Sequence, residues 1–173
     1  MSLKIHTRPL LENDFDVLRS LLLTEAPNQW NYITEDTIHS QFVRLKQGEA
    51  TAALLEDNQI VGFSIMLLRE ACPVAFEKYE ERDNMAYIED VVVSKNYAGR
   101  GHGTQLLLES MKQAHRHNIG VVYIERHEEN LASAGMMRKA GFEIVETFNN
   151  PEKRTSGSRR TVILKNQTSQ EIK

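Results

Sequence analysis

Residues 86–108 read AYIEDVVVSKNYAGRGHGTQLLL, and the rest of the chain is best read outward from them. The apolar run from Ala86 to Val93 has strand character and enters a loop holding Gly99, Gly101 and Gly103. The loop opens directly into a helix with an apolar stripe. Such a junction binds anions, because the first N–H groups of a helix lack backbone partners and carry the positive end of its dipole. Glycines let the backbone close on the anion without a Cβ in the way. Glu89 and Asp90 on the entering strand add a possible base beside this cradle.

Upstream, Leu3–Arg8 alternates apolar and polar residues as a first strand, ended by Pro9. Leu11–Ala26 carries Leu11, Phe15, Leu18 and Leu22 at helical spacing, and Pro27 and Asn28 break it. A loop with Trp30 and Tyr32 leads to Thr34, the N-cap of a second helix through Gln47 that Gly48 stops. Strands follow at Thr51–Glu56 and Gln59–Arg69, turning at Asp57-Asn58. Glu70–Asn84 reads as irregular, and Met85–Val93 as the next strand.

Downstream, the helix runs from about Gly103 to His117, with Leu107, Met111 and Ala114 facing inward. Ile119–Arg126 is a strand, and Leu131–Ala140 a helix between an Asn130 cap and Gly141. Phe142–Phe148 and Thr161–Lys165 close the chain as strands around a polar hairpin. Residues 1–166 read as a single domain and 167–173 as a frayed tail. The element order is that of a mixed α/β domain.

Bulk properties narrow the function. A net charge of −3 argues against nucleic acid as a partner. The longest apolar run, Ile60–Leu68, is too short to span a membrane. Cys72 is the only cysteine, so neither a disulfide framework nor a cysteine-built zinc site is expected, and a reducing cytoplasm is the default compartment. His115 and His117 are two apart on a helix and do not share a face, so no metal is expected.

A dinucleotide-binding fold also puts glycines between a strand and a helix, and Glu125 lies where its acidic residue would. The spacing argues otherwise. The glycines read G-x-G-x-G, five residues from Ser94 to Ala98 separate strand from glycine, and only 48 residues follow Glu125. The stretch VVVSKNYAGRGHGTQLL instead resembles the acetyl-CoA motif R/Q-x-x-G-x-G/A of the GNAT superfamily of N-acetyltransferases, with Gly101 and Gly103 as its glycines. NLASAGMMRKAGF, residues 130–142, is similar to the family's second cofactor motif through Asn130, Gly141 and Phe142. Ala98 departs from the usual Arg or Gln, Ser133 from a small Ala, and Met137 from a Tyr that protonates the leaving thiolate in many members.

The resemblance implies a central, mostly antiparallel sheet of about seven strands flanked by about four helices. It implies acetyl transfer from acetyl-CoA, as co-substrate, to a primary amine on a small molecule or peptide, by direct attack in a ternary complex, with a homodimer as a compatible assembly. Cofactor binding would fall to Val91, Val92, Val93, Ala98, Gly99, Arg100, Gly101, His102, Gly103, Thr104, Asn130 and Met137. The reaction needs a neutral amine, a held oxyanion and a leaving thiolate. A thiol of pKa near ~8.5 leaves unprotonated at neutral pH for about 2 kcal/mol, whereas an alkyl amine near ~10.4 needs a base.

Strict alternation would put Tyr87, Glu89, Val91 and Val93 on one face, and Ile88, Asp90 and Val92 on the other. The resemblance places substrate-facing polar groups at Tyr87 and Glu89, so Glu89 is the first choice of base. Asp90 is the second, because a bulge would re-aim it. Tyr87 and His127 are the remaining proton donors. Blander readings stand beside these: Glu89 as a solvated strand charge, Met136 and Met137 as core filler, and His102 as a solvent-facing loop residue. Lys95, Arg100 and Lys139 are candidates for the ribose phosphate of CoA, or simply solvated.

The acceptor is left open by two loops. Glu70–Asn84 carries a net −3, suited to a cationic amine, and Pro151–Arg160 a net +3. A CoA-binding module of the same fold without transferase activity is the alternative reading, consistent with Met137 and Ala98.

Overall fold

The computed structural model describes residues 2–168. The apolar runs flanking Asp57-Asn58 form β2 (Ala50–Asp57) and β3 (Gln59–Leu68), which pair antiparallel along their length. β1 (Lys4–His6) adds to β2, and β4 (Met85–Val93) adds antiparallel to β3. β5 (Val121–His127) lies parallel to β4, and β7 (Arg160–Gln167) and β6 (Glu143–Asn149) complete the sheet antiparallel. The order is β1-β2-β3-β4-β5-β7-β6, seven strands with one parallel pair.

Four α-helices cover the sheet. α1 (Glu12–Thr24) and α2 (Glu35–Gln47) lie on one face, where Leu18, Leu22 and Ile38 pack with Phe63, Ile65, Met85 and Tyr87. α3 (His102–Arg116) and α4 (Leu131–Lys139) lie on the other, where Leu107, Ala114 and Met137 meet Ile88, Val122, Ile124 and Leu164. Each fully buried large side chain contributes roughly 1.5–3 kcal/mol. The helix caps fall where expected: Thr34 Oγ1 accepts from Thr37 N at 3.1 Å, and Asn130 Oδ1 from Ser133 N at 3.1 Å.

Four expectations are corrected. The Glu70–Asn84 stretch is not simply irregular, since it folds into three short 3₁₀ turns. The buried side of α3 is wider and more polar than the stripe read from Leu107, Met111 and Ala114. It includes Ser110, bonded to Ser64 at 2.6 Å, and Gln113, which donates to Ala52 O at 3.0 Å. The tail does not begin at Gln167: that residue ends β7, and Thr168 N and Oγ1 donate to Gly120 O and Ile119 O at 2.9 and 2.7 Å. Residues 169–173 of the expected tail lie outside the described residues.

The correction that matters for function is in β4. Ile65 of β3 faces Asp90, while the next residue, Met66, faces Ile88. Glu89 is therefore an extra residue in the strand, a β-bulge, and strict alternation fails there. Asp90 and Val92 join Tyr87 on the α1/α2 face, whereas Val91 and Val93 pack on the opposite side with Leu106.

Candidate active site

β4 and β5 pair over four positions, from Met85–Val121 to Ile88–Ile124, and then part. Beyond that point β4 stays bonded to β3, while Glu125–His127 stay bonded to β7. The bulge at Glu89 sits where the strands diverge and bends β4 away. The opening is a cleft of about 510 Å³ that reaches both faces of the sheet, the size of a small-molecule site. Tyr87 and Asp90 line it on the α1/α2 face, with Trp30 and Tyr32 of the α1–α2 loop. Ile88, Val91, Asn130, Ser133, Met136 and Met137 line it on the α3/α4 side.

The glycine loop adjoins this second side. Gly99 and Gly101 have φ of +77° and +80°, which a side chain would strain. Among the described residues, no backbone N–H from Gly99 through Thr104 finds a protein acceptor, the first helical bond being Gln105 N to Gly101 O at 3.2 Å. Free N–H donors at the head of a helix suit phosphate oxygens. None of these loop residues lines the cleft itself. The link is Met136: a Cβ on Gly103 would stand 2.5 Å from its Sδ, and Thr104 Oγ1 donates to its carbonyl at 3.5 Å. His102 is the first residue of α3, and its ring nitrogens are buried without partners rather than turned to solvent.

At the centre of the cleft Asp90 accepts a hydrogen bond from Gln41 Nε2 of α2, a residue buried to 1 % exposure. Asp90 keeps some exposure, but only part of it reaches water, and burial pushes its carboxyl up to about 7 against the opposing Gln41 bond. Glu89 Oε1 is buried with no hydrogen-bond partner. Tyr87 is buried, and desolvation, helped by the Glu89 charge, raises its phenol.

The hairpin after β6 supplies Glu152, Lys153 and Arg154 to the cleft. Lys153 and Arg154 both reach Glu125 Oε1 of β5, Arg154 at 3.5 Å. About half of the Lys153 side chain is exposed, yet desolvation of its ammonium, with the neighbouring Arg154 charge, lowers it to about 8. Of the acidic Glu70–Asn84 segment only Pro73 lines the cleft, and Arg82 pairs with Glu70 and Glu77. The basic loop, not the acidic one, borders the site. Among the described residues, no group of three or more His, Cys, Asp or Glu is placed to hold a metal ion, and no helix is long and apolar enough to cross a membrane.

The chain matches the model of the acetyltransferase (GNAT) family over residues 15–142. It belongs to the GNAT family. No curated protein matches it in sequence. Solved GNAT-like structures share the fold. They include the ribosomal-protein-S18-alanine N-acetyltransferase from Escherichia coli (16 % identity, 97 % of this chain and 95 % of that one, TM-score 0.73). The aminoglycoside acetyltransferase AAC(6')-Ib in complex with coenzyme A and kanamycin is similar at 18 % identity, 95 % of each chain and TM-score 0.73. An acetyltransferase from Bacillus subtilis in complex with CoA aligns at 16 % identity over 96 % of this chain and 99 % of that one, with TM-score 0.69. At such identities the likeness is one of fold.

Within this GNAT fold the residues picked from sequence divide. Tyr87, Glu89, Asp90, Val91, Asn130 and Met137 meet at the cleft. The side chain of Val92 is buried among Phe63 and its neighbours and that of Val93 packs toward Leu106, whereas the cofactor contact expected of Val91–Val93 is through backbone N–H groups. His127 is not a free proton donor. Its Nδ1 accepts from Glu129 N at 3.0 Å, so Nε2 carries the hydrogen and donates to Ser156 O at 2.8 Å. Arg126 and Arg154 line the cleft and Gln41 bonds Asp90, none of them singled out from the sequence, while Glu125 was noted only for the dinucleotide alternative. A helix-borne glutamine has no spacing signal, and the basic hairpin offered only its charge.

Proposed function

We propose that this GNAT protein is an acetyl-CoA-dependent N-acetyltransferase that acetylates a primary amine. The observation that carries this reading is the run of unpartnered N–H groups at Gly99–Thr104 beside a cleft that holds Glu89 and Asp90. The free donors, the positive-φ glycines and the helix head fit a diphosphate. Ile88, Val91 and Met137 offer an apolar wall for the arm between that loop and the splay, and Asn130 its polar edge. Bound there, acetyl-CoA supplies an activated thioester, whose C–S bond is exchanged for a C–N bond.

Glu89 Oε1 is an unsatisfied buried acceptor, which an ammonium N–H would satisfy. Asp90 then takes the ammonium proton. An ordinary aspartate lies about 6 to 7 pKa units below an alkyl amine; a carboxyl at about 7 shortens that climb by roughly 4 kcal/mol. We assign the base role to Asp90, which the bulge turns onto the face of Tyr87, in place of Glu89, the first choice from the resemblance. After attack the nitrogen still carries a second proton, which leaves as the C–S bond breaks and reaches the departing sulfur through water or the phenol of Tyr87, a donor that burial weakens. Titrating the protein with acetyl-CoA by calorimetry, then following thiol release across a panel of amines, tests the reading. Binding with turnover supports it. Binding without turnover across polyamines, aminoglycosides, amino acids and peptides favours a CoA-binding module, and absence of binding removes both.

A further inference from the structure

The acceptor side of the cleft is charged in a particular way. Arg154 is only 4 % exposed, yet it lines the cleft. Its Nε donates to Thr161 Oγ1 at 2.9 Å and its Nη2 reaches Glu125 at 3.5 Å, while Nη1 has no protein acceptor among the described residues. Nη1 is not sealed off in the protein, so the guanidinium is held on its inner side and keeps one nitrogen free for a ligand in the cleft. Lys153 and Arg154 share the single carboxylate of Glu125, and Arg126 adds a third cation to the lining, so this wall keeps a net positive charge. Glu152 also borders the cleft, but it is exposed and screened by water.

The wall is also fixed in place. Arg154 N donates to Asn150 O at 2.8 Å, Ser156 Oγ to Gln29 O at 2.9 Å, and His127 Nε2 to Ser156 O at 2.8 Å. The hairpin is therefore tied to β5 and to the loop before Trp30. With Nε on Thr161 and Nη2 on Glu125, the fixed Arg154 offers its Nη1 N–H, beside the Lys153 ammonium, to one small anion, which a carboxylate fits. Across the cleft, Glu89 and Asp90 present the opposite charge.

We infer that the acceptor is a small amine that also carries a carboxylate, its ammonium held at Glu89 and Asp90 and its carboxylate at Arg154 and Lys153. This rests on the N-acetyltransferase reading above and narrows its substrate to amino acids and close relatives. Amines without an anion leave Arg154 Nη1 to water and the positive charge of the wall uncompensated.

The experiment compares amino acids with amines of the same skeleton lacking the carboxylate, by initial rates of thiol release from acetyl-CoA. At least one amino acid should exceed its decarboxylated partner about ten- to a hundredfold in kcat/KM, the worth of a charge-assisted hydrogen bond. In Arg154→Met that ratio should collapse toward one, and Arg154→Lys should restore part of it. Decarboxylated amines turned over as well as the acids by the wild-type protein would overturn this inference and leave the acetyltransferase reading standing. So would a ratio untouched in Arg154→Met, or phosphoethanolamine outrunning its carboxylate counterparts. No turnover of any amine would overturn both. The wild-type comparison decides the matter even where a variant fails to fold.

Discussion

Asp90 of β4 accepts a hydrogen bond from the side-chain amide of Gln41 on α2, and Gln41 Oε1 is left buried without a partner. Turning the amide over would offer that oxygen to a protonated Asp90, so the pair can be satisfied in either ionisation state. As observed, the donated N–H favours the charged carboxylate and partly offsets its burial. Gln41→Met keeps the volume and removes the bond. The carboxyl should then rise further above about 7, and the acidic limb of the kcat/KM–pH profile should move upward by about half a unit to one unit. A limb that stays put would separate Gln41 from Asp90 in function.

Replacing Asp90 itself should divide stability from activity. Its folded pKa, about 7, lies above the ordinary 3.8. The ionised form is the penalised one, so no penalty exists below pH 4, and it accumulates as pH rises to about 7. Asp90→Asn never ionises. Its melting temperature should exceed that of the wild-type protein by a margin that widens between pH 4 and pH 8, reflecting a few kcal/mol at most. Its kcat should fall by about 10²- to 10⁴-fold. A melting-temperature gap that is flat with pH would contradict the buried-carboxyl assignment.

These two residues also mark how far the sequence could be read. Helix and strand positions, the caps at Thr34 and Asn130, and the glycine loop follow from local periodicity and turn chemistry, and they appear in the fold nearly where expected. The bulge at Glu89 does not, because an extra residue in EDVVV leaves the apolar pattern almost unchanged while it reverses which side chains face the cleft. Gln41 and Arg154 reach the site from elements far away in sequence, and nothing local distinguishes them from a solvated glutamine or arginine. His127 shows the opposite case: a titratable residue near the site whose two nitrogens the backbone already occupies.

The first strand hangs on one arginine. Arg8 donates to Asp14 at 2.7 Å and to Glu56 at 2.8 Å, joining the end of β1 to α1 and β2. The guanidinium, with help from His6, holds Glu56 down to about 2. A depressed carboxylate contributes fully above its ordinary value near 4.5 and loses that contribution as pH falls through about 2. Arg8→Gln should cost about 1–2 kcal/mol by denaturant unfolding at pH 6, and the difference from wild type should vanish toward pH 2. A cost independent of pH would point to lost packing of the arginine stem instead.

Position 137 offers a gain rather than a loss. Met137 is 3 % exposed, packs with Leu107 and Phe142, and still forms part of the cleft wall. The second cofactor motif carries a Tyr there in many GNAT members, positioned to protonate the leaving thiolate, and this chain lacks that hydroxyl. Leaving unprotonated costs about 2 kcal/mol at neutral pH, so an added donor can return at most roughly thirtyfold in rate. Met137→Tyr should raise kcat by several-fold, most clearly below pH 8, where the thiol is mainly protonated at equilibrium. The same change overfills a packed site and should cost about 1–3 kcal/mol of stability. Thiol-release rates and melting curves on the one variant read both effects. An unchanged kcat beside a lowered melting temperature would mean that Tyr87, or solvent, already delivers the proton and that amine deprotonation at Asp90 limits the reaction.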